Sequence, residues 1–300
     1  MLRRAAVRTL SVSLCGTLFR GAFGLVARPV GSGTATLRPI ELDGRGGNTG
    51  AGAEPVTPRL LLLSSGLTTP ELESTFRGML SDVVSAGEQP SITMVVTGQM
   101  APSNESPESG GSQSKKSPGE RRRRRWADAT KKGRVLAAQL GVEINCVDCA
   151  KTHGEELERS LDGAHCIWVT GGNTFFLWQH MRASGLDEMI RRKLASGTLY
   201  VGCSAGAIVA GRSVSTAFWK GWDDPAAAAE TDWTDPDSLL GLSLVPHRSF
   251  FPHYDPSWAS LVEAKRDGLD HPVVCLEDAG PGFVSPEPAT EEGAGEGDCA

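Results

Sequence analysis

Thr198-Leu-Tyr-Val-Gly-Cys-Ser-Ala-Gly-Ala-Ile-Val-Ala-Gly211 is the stretch on which the fold of this 300-residue chain turns. Leu199, Tyr200 and Val201 read as a short apolar strand, and the small residues after Ala205 read as a helix. Between them stands Gly202-Cys203-Ser204-Ala205-Gly206, a G-x-S-x-G. Between a strand and a helix this pattern makes a nucleophile elbow. The turn is so tight that both flanking positions must be small, and the serine hydroxyl is held clear of the backbone. The N–H of Ala205 then points where an oxyanion would form, near the positive end of the helix. In a chain with 36 glycines the pattern alone is a weak signal. The strand and helix on either side give it its weight.

Upstream, strand and helix signals alternate. Residues 59–67 (RLLLLSSGL) form a buried strand, and Thr69-Pro70-Glu71 opens a helix carrying Leu72, Phe76, Met79 and Leu80 at helical spacing. Residues 91–99 are a second strand whose continuous apolar run suits a parallel sheet covered on both faces. Strands at 142–147 and 166–170, with a helix between, continue the rhythm into the elbow strand. Such alternation predicts an α/β fold with a doubly wound, mostly parallel sheet. A second turn precedes the elbow in Ile167-Trp-Val-Thr-Gly-Gly-Asn-Thr-Phe175. Asn173 is placed to cap the following helix, and Gly171 and Gly172 let the backbone come close to whatever lies at the strand's carboxyl end. An N–H from Gly172 would there join that of Ala205, although an ordinary tight βα loop has the same composition.

Composition divides the rest of the chain. Residues 1–40 hold six arginines and no acid, the make-up of a mitochondrial or plastid transit peptide; a basic tail on a cytoplasmic protein is the alternative. Without that segment the net charge falls from −6 to −12, which argues against nucleic acid as a partner. Residues 41–57 read as a linker, 58–278 as a serine-hydrolase domain, 101–122 as a disordered insertion within it, and 279–300 as an acidic disordered tail. Arg121–Arg125 read as a solvated helix start rather than a nucleic-acid patch. The seven cysteines show no disulfide framework and read as reduced, buried thiols of an intracellular protein. No apolar run approaches a membrane span. No metal or organic cofactor is implied, and nothing in the sequence indicates an oligomeric state.

A nucleophilic serine needs a base, and the base needs an orienting acid. His247 and His253 are the candidates, in Leu244-Val-Pro-His-Arg-Ser-Phe-Phe-Pro-His-Tyr-Asp255. His253 ends the apolar run where the chain turns toward a helix, so it belongs at a strand end. Asp223 and Asp224, before Pro225 in a tryptophan-rich loop, are candidate acids and equally good turn formers. GGNTF, GCSAGA, an Asp-x-Pro and PHYD, in that order between about residues 60 and 276, resemble the dipeptidase E family of serine peptidases. That family includes the aspartyl dipeptidases and, more distantly, the cyanophycinases. The resemblance implies a class-I glutamine-amidotransferase-like three-layer sandwich. It also implies Ser204 as nucleophile, His253 as base, Asp223 (with Asp224 close behind) as acid, and Gly172 and Ala205 as oxyanion donors. The expected activity is hydrolysis of small peptides, in particular dipeptides with amino-terminal aspartate. A cyanophycinase-like β-aspartyl peptidase, a general esterase and a non-catalytic binding protein are the alternatives. The chain departs from the aspartyl dipeptidases at Cys203 and Ile208, and in the loop carrying Trp219, Trp222 and Trp233.

Overall fold

The computed structural model describes residues 58–102 and 117–286. Its centre is a six-stranded sheet. Five strands run parallel in the order β3 (Glu143–Val147), β2 (Ser91–Val95), β4 (Cys166–Val169), β5 (Leu199–Cys203), β1 (Leu60–Leu63). Side chains alternate across it. Leu60, Leu62, Ile167, Val169 and Tyr200 enter one core, and Leu61, Leu63, Trp168, Val201 and Cys203 the other. Helices α1 (Pro70–Ser81) and α2 (Pro118–Leu140) cover the second face through Leu72, Phe76, Leu80, Ala129 and Leu140. Helices α3 (Gly154–Ser160), α4 (Thr174–Ser184), α5 (Leu186–Ala195) and α6 (Ala205–Ala210) cover the first. This is the expected α/β arrangement, a mostly parallel sheet between two helical layers. Beyond it, β6 (Ser249–Tyr254) and β7 (Val273–Glu277) pair in a separate two-stranded parallel sheet, with α7 (Ala259–Arg266) between them in the chain.

Local chemistry sets the helix starts. Thr69 accepts from the Leu72 N–H ahead of α1, and Asn173 accepts from the Phe176 N–H at 2.8 Å ahead of α4, the cap its sequence position predicts. Two expectations need correction. The insertion read as 101–122 ends earlier, because Ser117 and Glu120 form a capping box and α2 begins at Pro118. Arg121–Arg125 therefore lie in its first two turns, where Arg122 pairs with Asp148. The tail read as starting at 279 also starts too early. β8 (Phe283–Ser285) pairs antiparallel with β1 at the sheet edge, and Phe283 packs edge-on against Phe250 at 5.2 Å. Acidic composition around it concealed two apolar residues at a strand position. The transit-peptide and linker assignments, residues 103–116 of the insertion and residues 287–300 lie outside the described residues. Among the described residues no helix is long and apolar enough to cross a membrane.

Candidate active site

The tight turn at Ser204 forms for the steric reasons its glycines predict. A Cβ at Gly202 would stand 2.5 Å from the Gly206 carbonyl oxygen, and one at Gly206 only 2.1 Å from that of Val169. Between them Ser204 adopts φ 51° and ψ −111°, a conformation an L-residue holds only when its surroundings impose it. Its N–H donates to the Leu63 carbonyl at 2.9 Å, and the buried Tyr200 hydroxyl ties down the Gly206 carbonyl at 2.8 Å. Gly172 has φ +119° and sits so close to the Gly98 backbone that a Cβ would lie 2.2 Å from its carbonyl carbon. It lines the same cavity as Ser204, while Ala205 is the first residue of α6.

His253 reaches the serine from the second sheet. The β6–β7 register shifts between Phe251 and Tyr254, and at this bulge His253 takes φ 54°. A bulge re-aims a strand's side chain, and here His253 Nε2 comes within 2.9 Å of Ser204 Oγ. His247 makes no corresponding approach. On the other side of the ring, Nδ1 lies 2.8 Å from the carboxylate of Asp278, one residue beyond the end of β7. Ser64 ties the arrangement together, accepting from the His253 N–H at 2.6 Å and donating to Asp278 at 2.6 Å. Ser65 donates to the same oxygen. Burial tends to raise the Asp278 carboxyl, but the hydrogen bonds from Ser64, Ser65 and His253, with the His253 charge, outweigh it and hold the group at about 2. Asp278 is thus a carboxylate at any pH where an imidazole can act as a base.

The structure does not bring Asp223 to the histidine ring, where the resemblance placed it. Its carboxylate accepts the Thr174 N–H at 3.0 Å, at the start of α4. Asp224 instead caps the turn from Pro225 to Ala228, accepting from the Ala226 N–H. The Asp-x-Pro loop is held at α4 by these bonds and by Asn173, which donates to the Asp224 carbonyl. Sequence reasoning missed Asp278, Ser64 and Ser65. The signal was present in the strand-end rule that selected His253, since VVCLED and LLLLSS each place a polar side chain just past an apolar strand.

The model of peptidase family S51 matches residues 122–278, just over half of the chain. The chain belongs to peptidase family S51. By family, then, it is of the serine type. An uncharacterized peptidase of Listeria innocua is 32% identical over 141 residues, covering 47% of this chain and 66% of its own length. Peptidase E of Pasteurella multocida is 39% identical over 117 residues, covering 39% of this chain and 43% of its own. The chain therefore spans about two thirds of the first relative and less than half of the second. A crystal structure of a peptidase from an acI-B1 Actinobacterium shares the fold, with TM-score 0.53, 18% identity, and coverage of 75% of this chain and 82% of that one.

This candidate site opens into a cavity of about 340 Å³ lined by Ser204, His253, Gly172, Ile208, Asp223, Lys220 and Trp222, among others. Burial raises the Asp223 carboxyl above its ordinary value, opposed by hydrogen bonding from Thr174 and by the His253 charge. It makes no ion pair with a described residue. Lys220 donates to the carbonyls of Pro252 and His253, at 2.8 and 2.5 Å, so it fixes the backbone of the bulge. Its ammonium also stands 4.4 Å from the rings of Trp222 and Phe251, and burial lowers its pKa. Cys203, beside Ser204, faces the core, where burial pushes its thiol up to about 12. A thiol so protonated is a poor nucleophile. Among the described residues no group of His, Cys, Asp and Glu side chains could hold a metal ion.

Proposed function

We propose that this protein hydrolyses small peptides through Ser204, His253 and Asp278. The observation that carries the proposal is the continuous hydrogen-bonded line from Ser204 Oγ through the His253 ring to Asp278. His253 Nε2 takes the serine proton as Oγ attacks the peptide carbonyl, and the same nitrogen returns it to the departing amine. Asp278 keeps the remaining ring proton on Nδ1 and stabilises the imidazolium formed in the transition state. The N–H groups of Gly172 and Ala205 are the donors assigned to the oxyanion. Water then releases the acyl group by the reverse of the same proton movements.

Asp223 takes a different role from the acid role expected of it. A half-buried carboxylate that lines the cavity beside Ser204 and pairs with no described cation suits the α-ammonium of a substrate's first residue. This supports cleavage next to a free amino terminus, consistent with dipeptides that begin with aspartate. The test is labelling by a fluorophosphonate, which reports a nucleophilic serine, followed by assays on α- and β-aspartyl dipeptides side by side. Labelling abolished in Ser204→Ala, with α-aspartyl dipeptides cleaved, is the expected result. An unlabelled folded protein that cleaves none of them would refute the proposal.

A further inference from the structure

The mechanism accounts for Ser204, His253, Asp278 and Asp223, but not for the tryptophans beside them. Trp222 is 63% exposed, an unusual position for so large an apolar ring in a loop fixed at both ends. It is held rather than loose. Its ring centroid lies 5.8 Å from that of Trp258, nearly perpendicular to it, and the Lys220 ammonium packs against both rings, at 4.4 and 4.9 Å. Lys220 is itself anchored on the backbone of the bulge. The indole is therefore presented to solvent on a rigid support, and its centroid is 5.8 Å from that of the His253 ring.

We propose that Trp222, backed by Trp258, is the subsite for the residue that leaves with the amine, and that it takes an aromatic or large apolar side chain. The inference rests on the proposed peptidase reaction and extends it. With the carbonyl at Ser204 and the α-ammonium at Asp223, the departing nitrogen must sit beside His253 Nε2 to receive its proton. The chain beyond that nitrogen then passes the histidine ring, where Trp222 offers the exposed apolar surface. An apolar side chain laid on the indole removes both surfaces from water, whereas a glycine leaves the ring wet.

The test compares kcat and KM of the full chain on aspartyl-phenylalanine, aspartyl-leucine and aspartyl-glycine. The phenylalanine and leucine dipeptides should be preferred over the glycine one by about tenfold in kcat/KM, mainly through KM. Trp222→Ala should shrink that preference to about twofold, and Trp222→Phe should keep most of it. A flat preference in the parent overturns the inference and leaves the peptidase reading intact. So does an equal loss of kcat on all three dipeptides in Trp222→Ala, which would make the ring a support for His253 alone. If no dipeptide is cleaved and Ser204 resists the fluorophosphonate, the peptidase reading fails and takes the inference with it.

Discussion

Asp278→Asn separates the two candidate acids most directly. The carboxylate accepts from His253 Nδ1 at 2.8 Å, but its side chain is 60% exposed. Two unit charges about 4 Å apart attract by about 1 kcal/mol in water and about 4 kcal/mol near a protein surface. Asp278 stands between these limits, so removing its charge should raise the barrier by about 2 to 3 kcal/mol, or roughly a hundredfold in kcat. That is less than the roughly ten-thousandfold loss known for a buried triad aspartate. Part of the difference has a structural source, since the Ser64 and Ser65 oxygens lie 3.4 and 3.3 Å from Nδ1 and would still accept its proton. The assay is kcat on an aspartyl dipeptide, normalised to the sites that a fluorophosphonate titrates, with Asp223→Asn run in parallel. Asp223→Asn should act chiefly on KM. If Asp278→Asn stays within twofold of the parent while Asp223→Asn loses a hundredfold in kcat, the acid is Asp223 and the reasoning from hydrogen bonds is wrong.

The remaining predictions use other parts of the site. Asp223 has a raised pKa in the fold, so its ionisation destabilises the protein as pH rises from the ordinary carboxylate range through the folded value. Asp223→Asn should accordingly melt at a temperature equal to or above the parent's at pH 7, and the advantage should vanish near pH 3. Asp278 has the opposite sign, and the stability it supplies should fade as pH falls from about 4 to about 2, a loss absent from Asp278→Asn in acid melts. Gly206→Ala should cost about 3 kcal/mol or more in denaturant titration, or prevent folding, because its Cβ meets a backbone oxygen at 2.1 Å. Gly78→Ala, in α1 with open space around it, should instead stabilise by up to about 1 kcal/mol. Lys220→Met should lower kcat by about tenfold with little change in melting temperature, since the bulge carbonyls lose their donor; an unchanged kcat would show that the bulge holds itself.

Much of this was legible in the residues because it depends on short stretches. The turn at Ser204, the double glycine and the cap at Asn173 are each settled within about five residues by steric demands that only certain side chains meet. His253 was legible through its place at the end of an apolar run. Asp278 was not, for a physical reason. Nothing local distinguishes an acid that orients a histidine from one that ends a strand, and Asp223 offered an equally good local pattern although its carboxylate is engaged by the Thr174 N–H at the start of α4. The distinction arises only when β7 is laid beside β6, which sets Glu277 opposite Tyr254 and brings Asp278 to the ring. The strand at 283–285 was hidden in the same way, since its apolar residues gain meaning only against Leu61 and Phe250.

The division of the site between two sheets has a consequence of its own. Ser204 directly follows a strand of the large sheet, whereas His253 lies in the small one and Asp278 one residue past its second strand, so on the proposed reading the base and its acid sit on one sheet and the nucleophile on the other. Ser64, just past β1, reaches the His253 N–H across the seam between them, and Arg212 and Thr216, in the segment after α6, hold the small sheet's side through the carbonyls of Arg248 and Phe250. A slip of one ångström along that seam would part Oγ from Nε2 without breaking a strand pair in either sheet. The enzyme would then fall silent before it unfolds and recover when the seam closes. Heating should reveal it as a reversible loss of turnover several degrees below the melting transition, with Ser64→Ala widening the gap.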